Sequence, residues 1–154
     1  MKPLETTVEE VLRKAIQSEV DTRLYYQKMA ERAATAEVRK RMLQLSDAEL
    51  VHRAKLERKY RETLKQEPPA PESVKVDLDS DIREVDMTRA LKLSLERERD
   101  SESYYRFMAE RAPADSELAN LFFELADNEW KHKADLQTEY ESTMNDPEQF
   151  LRDM

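Results

Sequence analysis

Apolar residues recur at every third or fourth position through four long stretches of the chain, the spacing of one face of an α-helix, with a few polar residues among them. In the first half, the residues on these stripes are Val8, Leu12, Ala15, Glu19, Tyr26, Ala30 and Ala33, then Val38, Met42, Leu45, Glu49, His52 and Leu56. In the second half, they are Leu91, Leu95, Glu98, Tyr105, Ala109 and Ala112, then Leu118, Phe122, Leu125, Glu129, His132 and Leu136. The pattern predicts four helices of about 25–30 residues, paired into two antiparallel hairpins with turns near Ala34 and Pro113.

A proline-rich segment, QEPPAPESVKVDLDSDIREVD (66–86), separates the two hairpins. Thr7 followed by Glu10 matches a capping box, and Asp86 is a candidate N-cap for the third helix. We therefore expect one domain over 1–154, with hairpin 1 at about 7–65 and hairpin 2 at about 87–145. The linker can extend to about 70 Å, well beyond a bundle of about 40 Å. This length favours an all-α, ferritin-like four-helix bundle with a long crossover.

The two halves of the chain are repeats of each other. LYYQKMAERA (24–33) and SYYRFMAERA (103–112) are identical at seven of ten positions. After a shift of one residue at the turn, 35–63 aligns with 115–143, and the glutamates and histidines of the stripes coincide. A duplicated helical hairpin explains this pattern.

Composition excludes several classes of protein. The chain has no glycine, which argues against Rossmann and P-loop folds, and no cysteine, which excludes disulfides and thiolate metal sites within it. The net charge of −8 disfavours a nucleic-acid partner. No stretch is apolar enough to cross a membrane, and the N-terminus lacks a signal peptide. We therefore expect a soluble, cytoplasmic protein.

Both histidines of the chain follow a glutamate by three residues, in Glu49-Leu-Val-His52 and Glu129-Trp-Lys-His132. Residues three apart share one face of a helix, so each pair should point into the bundle. The first helix of each hairpin adds one more inward carboxylate at the same height. The six residues predicted to meet in one layer are Glu19, Glu49, His52, Glu98, Glu129 and His132.

Four buried carboxylates require partners, because burying them without any would cost many kcal/mol. Two divalent cations would offset their charge, and the imidazoles would complete the ligand set. One glutamate from each of two helices plus Glu-x-x-His from the other two is the known pattern of di-iron and di-manganese bundles. The alternative is a metal-free interaction module, in which the layer is a hydrogen-bonded polar seam.

With these residues, the chain resembles the rubrerythrin and ferritin-like di-iron family over nearly its whole length. The resemblance rests on Glu19 with Tyr26 seven residues later, the Glu-x-x-His pairs, and the same pattern in the second half. It implies two non-haem irons, with manganese or a mixed pair as an alternative. It implies an oxidoreductase that reacts with hydrogen peroxide or dioxygen, or else a ferroxidase or iron-handling protein. It also implies that Glu49 and Glu129 bridge the metals, while Glu19, Glu98, His52 and His132 are terminal ligands.

Two departures from the family pattern affect the expected activity. Full-length rubrerythrins deliver electrons from a rubredoxin-like domain with four cysteines, which this chain lacks, so its electron donor is unknown. Many members also carry an extra glutamate on the third helix. Here Leu95 and Ser101 stand three residues before and after Glu98, and Glu102 is a weak substitute. The six residues therefore predict metal binding, while these two departures count against efficient peroxidase turnover.

Further aromatic and apolar positions allow two interpretations each. Tyr26 and Tyr105 either donate hydrogen bonds to the ligand glutamates one heptad away, as second-shell catalytic residues, or serve as core aromatics. Each hairpin also has two apolar residues seven positions apart, which form a second stripe. This second stripe either widens the core or forms the face of a homodimer. Its members are Leu43, Leu50, Phe123 and Trp130.

Overall fold

The computed structural model describes residues 7–72, 78, 84–112, 116–146 and 148. Its four helices are α1 (Val8–Glu31), α2 (Ala36–Leu64), α3 (Met87–Arg111) and α4 (Ser116–Met144). Within the described residues there is no β-sheet, and the predicted all-α four-helix bundle is confirmed. The turn predicted near Ala34 lies between α1 and α2. Pro113, predicted at the other turn, lies outside the described residues.

The helices begin and end where the local sequence stabilises their termini. The Thr7 hydroxyl accepts a hydrogen bond of 3.1 Å from the backbone N–H of Glu10, and the Asp86 carboxylate accepts one of 2.8 Å from that of Arg89. Both predicted caps are therefore confirmed. At the end of α2, Lys65 adopts the left-handed conformation (φ 56°), in which glycine is the usual residue. A chain without glycine uses lysine here instead.

Hydrogen bonds between the hairpins define the directions of the helices. Tyr26 pairs with Glu98, and Tyr105 pairs with Glu19. Residue numbers therefore increase along α1 as they decrease along α3, which means that the two helices are antiparallel. Ion pairs between α2 and α4, such as Arg41–Glu139, have the same antiparallel sense. Because α2 and α3 both run opposite to α1, they are parallel to each other. The connection between them must therefore return along the length of the bundle, as the predicted crossover requires.

The described parts of the linker lie against α1 and its turn. The Gln17 side chain donates to the carbonyl of Glu72 and accepts from its N–H, at 3.1 and 2.7 Å. Just beyond the C-terminal end of α1, the N–H of Val85 donates to the carbonyl of Arg32, and the N–H of Ala34 donates to the carbonyl of Val85, both at 2.8 Å. These contacts attach two separate parts of the linker to hairpin 1.

The core consists of two apolar clusters separated by a polar layer. One cluster surrounds Tyr26, Met42 and Leu91, near the turn between α1 and α2, and the other surrounds Tyr105 and Phe122. The predicted stripes supply 16 of the 24 buried residues of the two clusters. Buried glutamates and a buried histidine lie between the clusters and form the polar layer in the otherwise apolar core.

The second stripe does not widen the core. Leu43, Leu50, Phe123 and Trp130 are 42%, 40%, 42% and 52% exposed, so the prediction that they are core residues is wrong for the single chain. The physical reason is that the inward face of each helix is already filled by neighbours such as Phe122, which is fully buried. The homodimer alternative stays a prediction.

Among the described residues, none of the helices combines the length and the apolar character needed to cross a membrane.

Candidate metal centre

The six residues predicted to form one layer lie near the middle of the four helices. Helix α1 provides Glu19, α2 provides Glu49 and His52, α3 provides Glu98, and α4 provides Glu129 and His132. All four glutamates and His52 are at most 3% exposed, and His132 is partly buried. Four ionisable acids at such burial are rare in a protein core.

The layer contains two groups of ligand atoms that share one residue. Glu19, Glu49, His52 and Glu129 each place one ligand atom within 4.8 Å of the others, and Glu98, Glu129 and His132 do the same. The structure thus brings all six predicted residues together. Glu129 belongs to both groups, whereas Glu49 belongs only to the first. The rings of the two histidines are stacked, with centroids 5.8 Å apart.

Three carboxylates lie close to one ring nitrogen of His52. Its Nδ1 atom lies 2.9 Å from Glu129, 3.6 Å from Glu19 and 3.7 Å from Glu49. Burial opposes a charge on this imidazole, but Glu129 and Glu19 outweigh that effect and raise its pKa to about 9. Burial, and after it the neighbouring charge on His52, lowers the pKa of His132. Without metal, the pKa values of the two histidines are therefore shifted in opposite directions.

Burial and neighbouring charges shift the pKa values of three of the carboxyl groups in different directions. Burial and the adjacent Glu19 raise the pKa of Glu49 well above its ordinary value. Burial acts on Glu19 in the same direction, but its pKa is lowered overall because Glu49, His52 and Tyr105 donate hydrogen bonds to its charged form. Burial also raises the pKa of Glu129, although His52 opposes that shift. A metal ion that binds to this layer would therefore compete with protons for the carboxylate and imidazole ligand atoms.

Several buried atoms of the layer lack a hydrogen-bond partner, which tests whether a metal fits. Among the described residues, these atoms include one oxygen each of Glu19, Glu49, Glu98 and Glu129 and Nδ1 of His132, whereas Nδ1 of His52 and the other oxygen of Glu129 lie 2.9 Å apart as an ion pair. Buried polar atoms are normally satisfied, so unpaired ligand atoms in one layer need an explanation. Carboxylate and imidazole donors suit iron, manganese and zinc. The donor set therefore fits a pair of divalent metal ions.

The two buried tyrosines contact the layer across the bundle. The Tyr26 hydroxyl donates a hydrogen bond of 2.9 Å to Oε1 of Glu98, and the Tyr105 hydroxyl donates to Oε1 of Glu19. The sequence predicted glutamates one heptad away on the same helix, but seven residues span about 10.5 Å of helix axis. A phenol cannot bridge that distance, whereas the antiparallel neighbour places a glutamate at its level. Burial, followed by nearby carboxylates, raises both tyrosine pKa values well above 10.

Glu102, the weak substitute for an extra glutamate, is engaged outside the layer. Its carboxylate accepts from Lys133 at 2.5 Å and from Arg106 at 2.8 Å. It belongs to neither ligand group. Sequence reasoning missed Lys133 as the residue that holds it, because only the packing of α3 against α4 brings the two together.

Arg97 was also missed by the sequence analysis. Two of its guanidinium nitrogens donate to the Thr22 hydroxyl, at 3.0 and 3.2 Å, and it lies over the ring of Tyr25, 5.0 Å from the centroid. This cation stands next to Glu98 in the chain and joins α3 to α1 at the level of the layer. Nothing in the sequence distinguishes it from the other charged residues of 97–102.

Comparison with known proteins agrees with this geometry. The Rubrerythrin family model matches residues 10–92 and again 89–153, so the two matches follow the two halves of the chain. No curated protein matches significantly. A solved structure described as a hypothetical protein from Pyrococcus furiosus is similar, with 25% identity and a TM-score of 0.66. The match covers 91% of this chain and 92% of that one.

Proposed function

This chain belongs to the rubrerythrin family, and from that premise we propose that it is a di-iron oxidoreductase that reduces hydrogen peroxide or dioxygen. The observation that carries the proposal is the set of buried, unpartnered carboxylate and imidazole atoms in the middle of the bundle. A purely structural polar seam would pair these atoms with each other. Their unpaired state therefore supports metal binding over a metal-free interaction module.

Six residues are proposed as the ligands. Glu19, Glu49 and His52 come from hairpin 1, and Glu98, Glu129 and His132 from hairpin 2. Glu129 is proposed as a bridging ligand, which its place in both groups supports. Glu49, a bridge by family resemblance, lies with the first group in the metal-free arrangement.

Two ferrous ions held by these residues would supply the redox chemistry, namely the two electrons that reduce one hydrogen peroxide, with two protons, to two waters. The chain's own residues supply position and surroundings. Tyr26 and Tyr105 hold a proton toward one oxygen of Glu98 and Glu19, so that the other oxygen is free to bind metal. The apolar clusters on either side keep bulk water from the layer.

The electrons come from outside these 154 residues. A thiolate-bound iron cannot form within this chain, because it contains no cysteine. A reductant outside these 154 residues must therefore return the centre to the ferrous state after each turnover.

Anaerobic titration with Fe(II) tests the proposed site. We expect about two ions per chain, and loss of that binding in the Glu49→Ala/Glu129→Ala double variant. Glu102→Gln is the matched control, because it alters a carboxyl group on α3 that is outside both ligand groups. Circular dichroism establishes that each variant is folded. Weak binding that is the same in all three proteins would refute the di-metal site.

Stopped-flow oxidation of the ferrous protein separates the activities. We expect hydrogen peroxide to oxidise the centre faster than dioxygen does. Faster oxidation by dioxygen, with release of ferric ion, would instead assign the ferroxidase role. Both outcomes require the same six residues, so the double variant must be inactive in either case.

A further inference from the structure

The two ligand groups of the centre are unequal. The first has four residues, all of them buried, whereas the second has three, of which His132 is only partly buried. Sequence symmetry alone would give both groups the same composition, since each hairpin supplies two glutamates and one histidine. The difference arises because Glu129 reaches both groups while its counterpart Glu49 reaches only one.

The two ligand groups also differ in negative charge, because they contain different numbers of carboxylates. The first group brings three carboxylates to one ion, including Glu129. Once an ion occupies that position, the second group offers one carboxylate that is not shared, Glu98. An ion entering there also meets the repulsion of the first, which is strong at a few ångströms in a buried site.

No further carboxylate among the described residues is placed to compensate. The nearest candidate on α3 is Glu102, which is buried to 9% exposure and lies four residues after Glu98. Lys133 and Arg106 hold both of its oxygens, at 2.5 and 2.8 Å. Releasing it would leave two cations without their partner, so the second group remains one donor short.

We propose that the two positions load unequally, with Glu19, Glu49, His52 and Glu129 taking the first divalent ion tightly and Glu98, His132 and the remaining oxygen of Glu129 taking the second more weakly. This inference rests on the proposed metal centre and deepens it. At limiting metal, the protein therefore holds a single ion on the side of Glu19 and exchanges the other.

Native mass spectrometry of the wild-type chain with one equivalent of Co(II) measures the loading directly. Two equal and independent positions would give a one-metal population of about half. We expect a one-metal population well above half, corresponding to dissociation constants that differ by more than about tenfold. A statistical distribution, or a mixture of metal-free and two-metal protein, would overturn the proposal.

Two matched variants assign the tight position. In calorimetric titration with Co(II), Glu98→Gln should abolish the weak step and leave the tight one, whereas Glu19→Gln should abolish the tight step. If Glu98→Gln weakens the tight step as much as Glu19→Gln does, the assignment is wrong. Equal loading in a protein that still binds two irons and reduces peroxide would refute this inference alone. Absence of any Co(II) or Fe(II) binding would refute the proposed function itself.

Discussion

Tyr26 on α1 donates a hydrogen bond of 2.9 Å to Glu98 on α3, and this contact connects the two hairpins at the buried polar layer. The tyrosine is fully buried, and Glu98 has its other oxygen without a partner. The same relationship recurs between Tyr105 and Glu19. Each half of the chain therefore orients a proposed ligand of the other half.

Replacing Tyr26 with phenylalanine should weaken metal binding at the Glu98 position. Loss of a hydrogen bond to a ligand typically lowers metal affinity 10- to 100-fold, because the ligand is no longer held in its binding orientation. Tyr105→Phe is the matched variant and should affect the Glu19 position instead. Titration calorimetry with Co(II) measures both. If both variants bind as tightly as the wild type, the tyrosines are core aromatics only.

The stability of the metal-free protein should fall as the pH rises from about 6.5 to about 9. His52 has a pKa of about 9 in the fold and 6.5 as its ordinary value, because the nearby carboxylates outweigh the effect of burial. Its stabilising contribution is complete below pH 6.5 and is lost as the pH rises through the folded value. Glu49, whose pKa burial also raises, acts in the same direction from its ordinary value of 4.5 upward.

Urea denaturation with a chelator present, at intervals between pH 6 and 9, measures this effect. One unit of pKa corresponds to about 1.4 kcal/mol, so the decrease attributable to His52 should reach about 3 kcal/mol. His52→Gln should show a smaller pH dependence, since it removes the group with the raised pKa. A free energy of unfolding that rises between pH 6 and 9 would contradict the raised pKa of His52.

Metal binding should release protons. At neutral pH the layer holds a proton on His52, whose pKa is about 9. Burial and Glu19 raise the pKa of Glu49, which favours its protonated form, and both residues are proposed ligands. Since ligand atoms must be deprotonated, the apparent affinity should rise with pH between about 6 and 8. Calorimetry in buffers of different ionisation enthalpy gives the number of protons released. Glu102→Gln should release the same number, because Glu102 lies outside both ligand groups.

Two adjacent phenylalanines should respond differently to truncation. Phe122 is fully buried, and its ring stacks on that of Tyr105 with centroids 6.0 Å apart, while Phe123 is 42% exposed. We expect Phe122→Ala to lower the free energy of unfolding by about 3–5 kcal/mol and Phe123→Ala to change it by less than about 0.5 kcal/mol. Chemical denaturation of dilute protein measures both changes.

The same pair of variants tests the predicted homodimer. A large, concentration-dependent loss of stability in Phe123→Ala would show that a second copy covers this face. Sedimentation of the wild type and Phe123→Ala at matched concentrations would then report the change in oligomeric state.

The fold was largely predictable from the sequence, because the signals involved are local. The apolar spacing identified the helices, and Thr7 and Asp86 identified two of their starts. The crossover followed from the length of 66–86, since parallel neighbours need a connection as long as the bundle. Four residues of the layer were predicted because each Glu-x-x-His lies on a single helix. Glu19 and Glu98 followed from their helical spacing and from their equal distance to the hairpin turns.

The relations between helices could not be predicted. Tyr26 contacts Glu98 rather than Glu19 because of antiparallel packing, which the sequence of one helix does not encode. The unequal groups depend on where Glu129 points, and both copies of Glu-x-x-His look alike in the sequence. Likewise, the periodicity of Phe123 and Trp130 does not say which of two apolar faces is turned inward.

The division of the ligands between the hairpins has a consequence for how such a centre can originate. Each hairpin carries two glutamates and one histidine, so two separate copies of one hairpin, associated about a twofold axis, would present the same six ligands. Joining them through 66–86 makes the assembly intramolecular, and therefore independent of protein concentration. It also lets equivalent positions diverge, as at Arg23 and its counterpart Glu102. A fused pair can thus evolve two different metal positions, whereas a symmetric pair of identical chains must keep them the same.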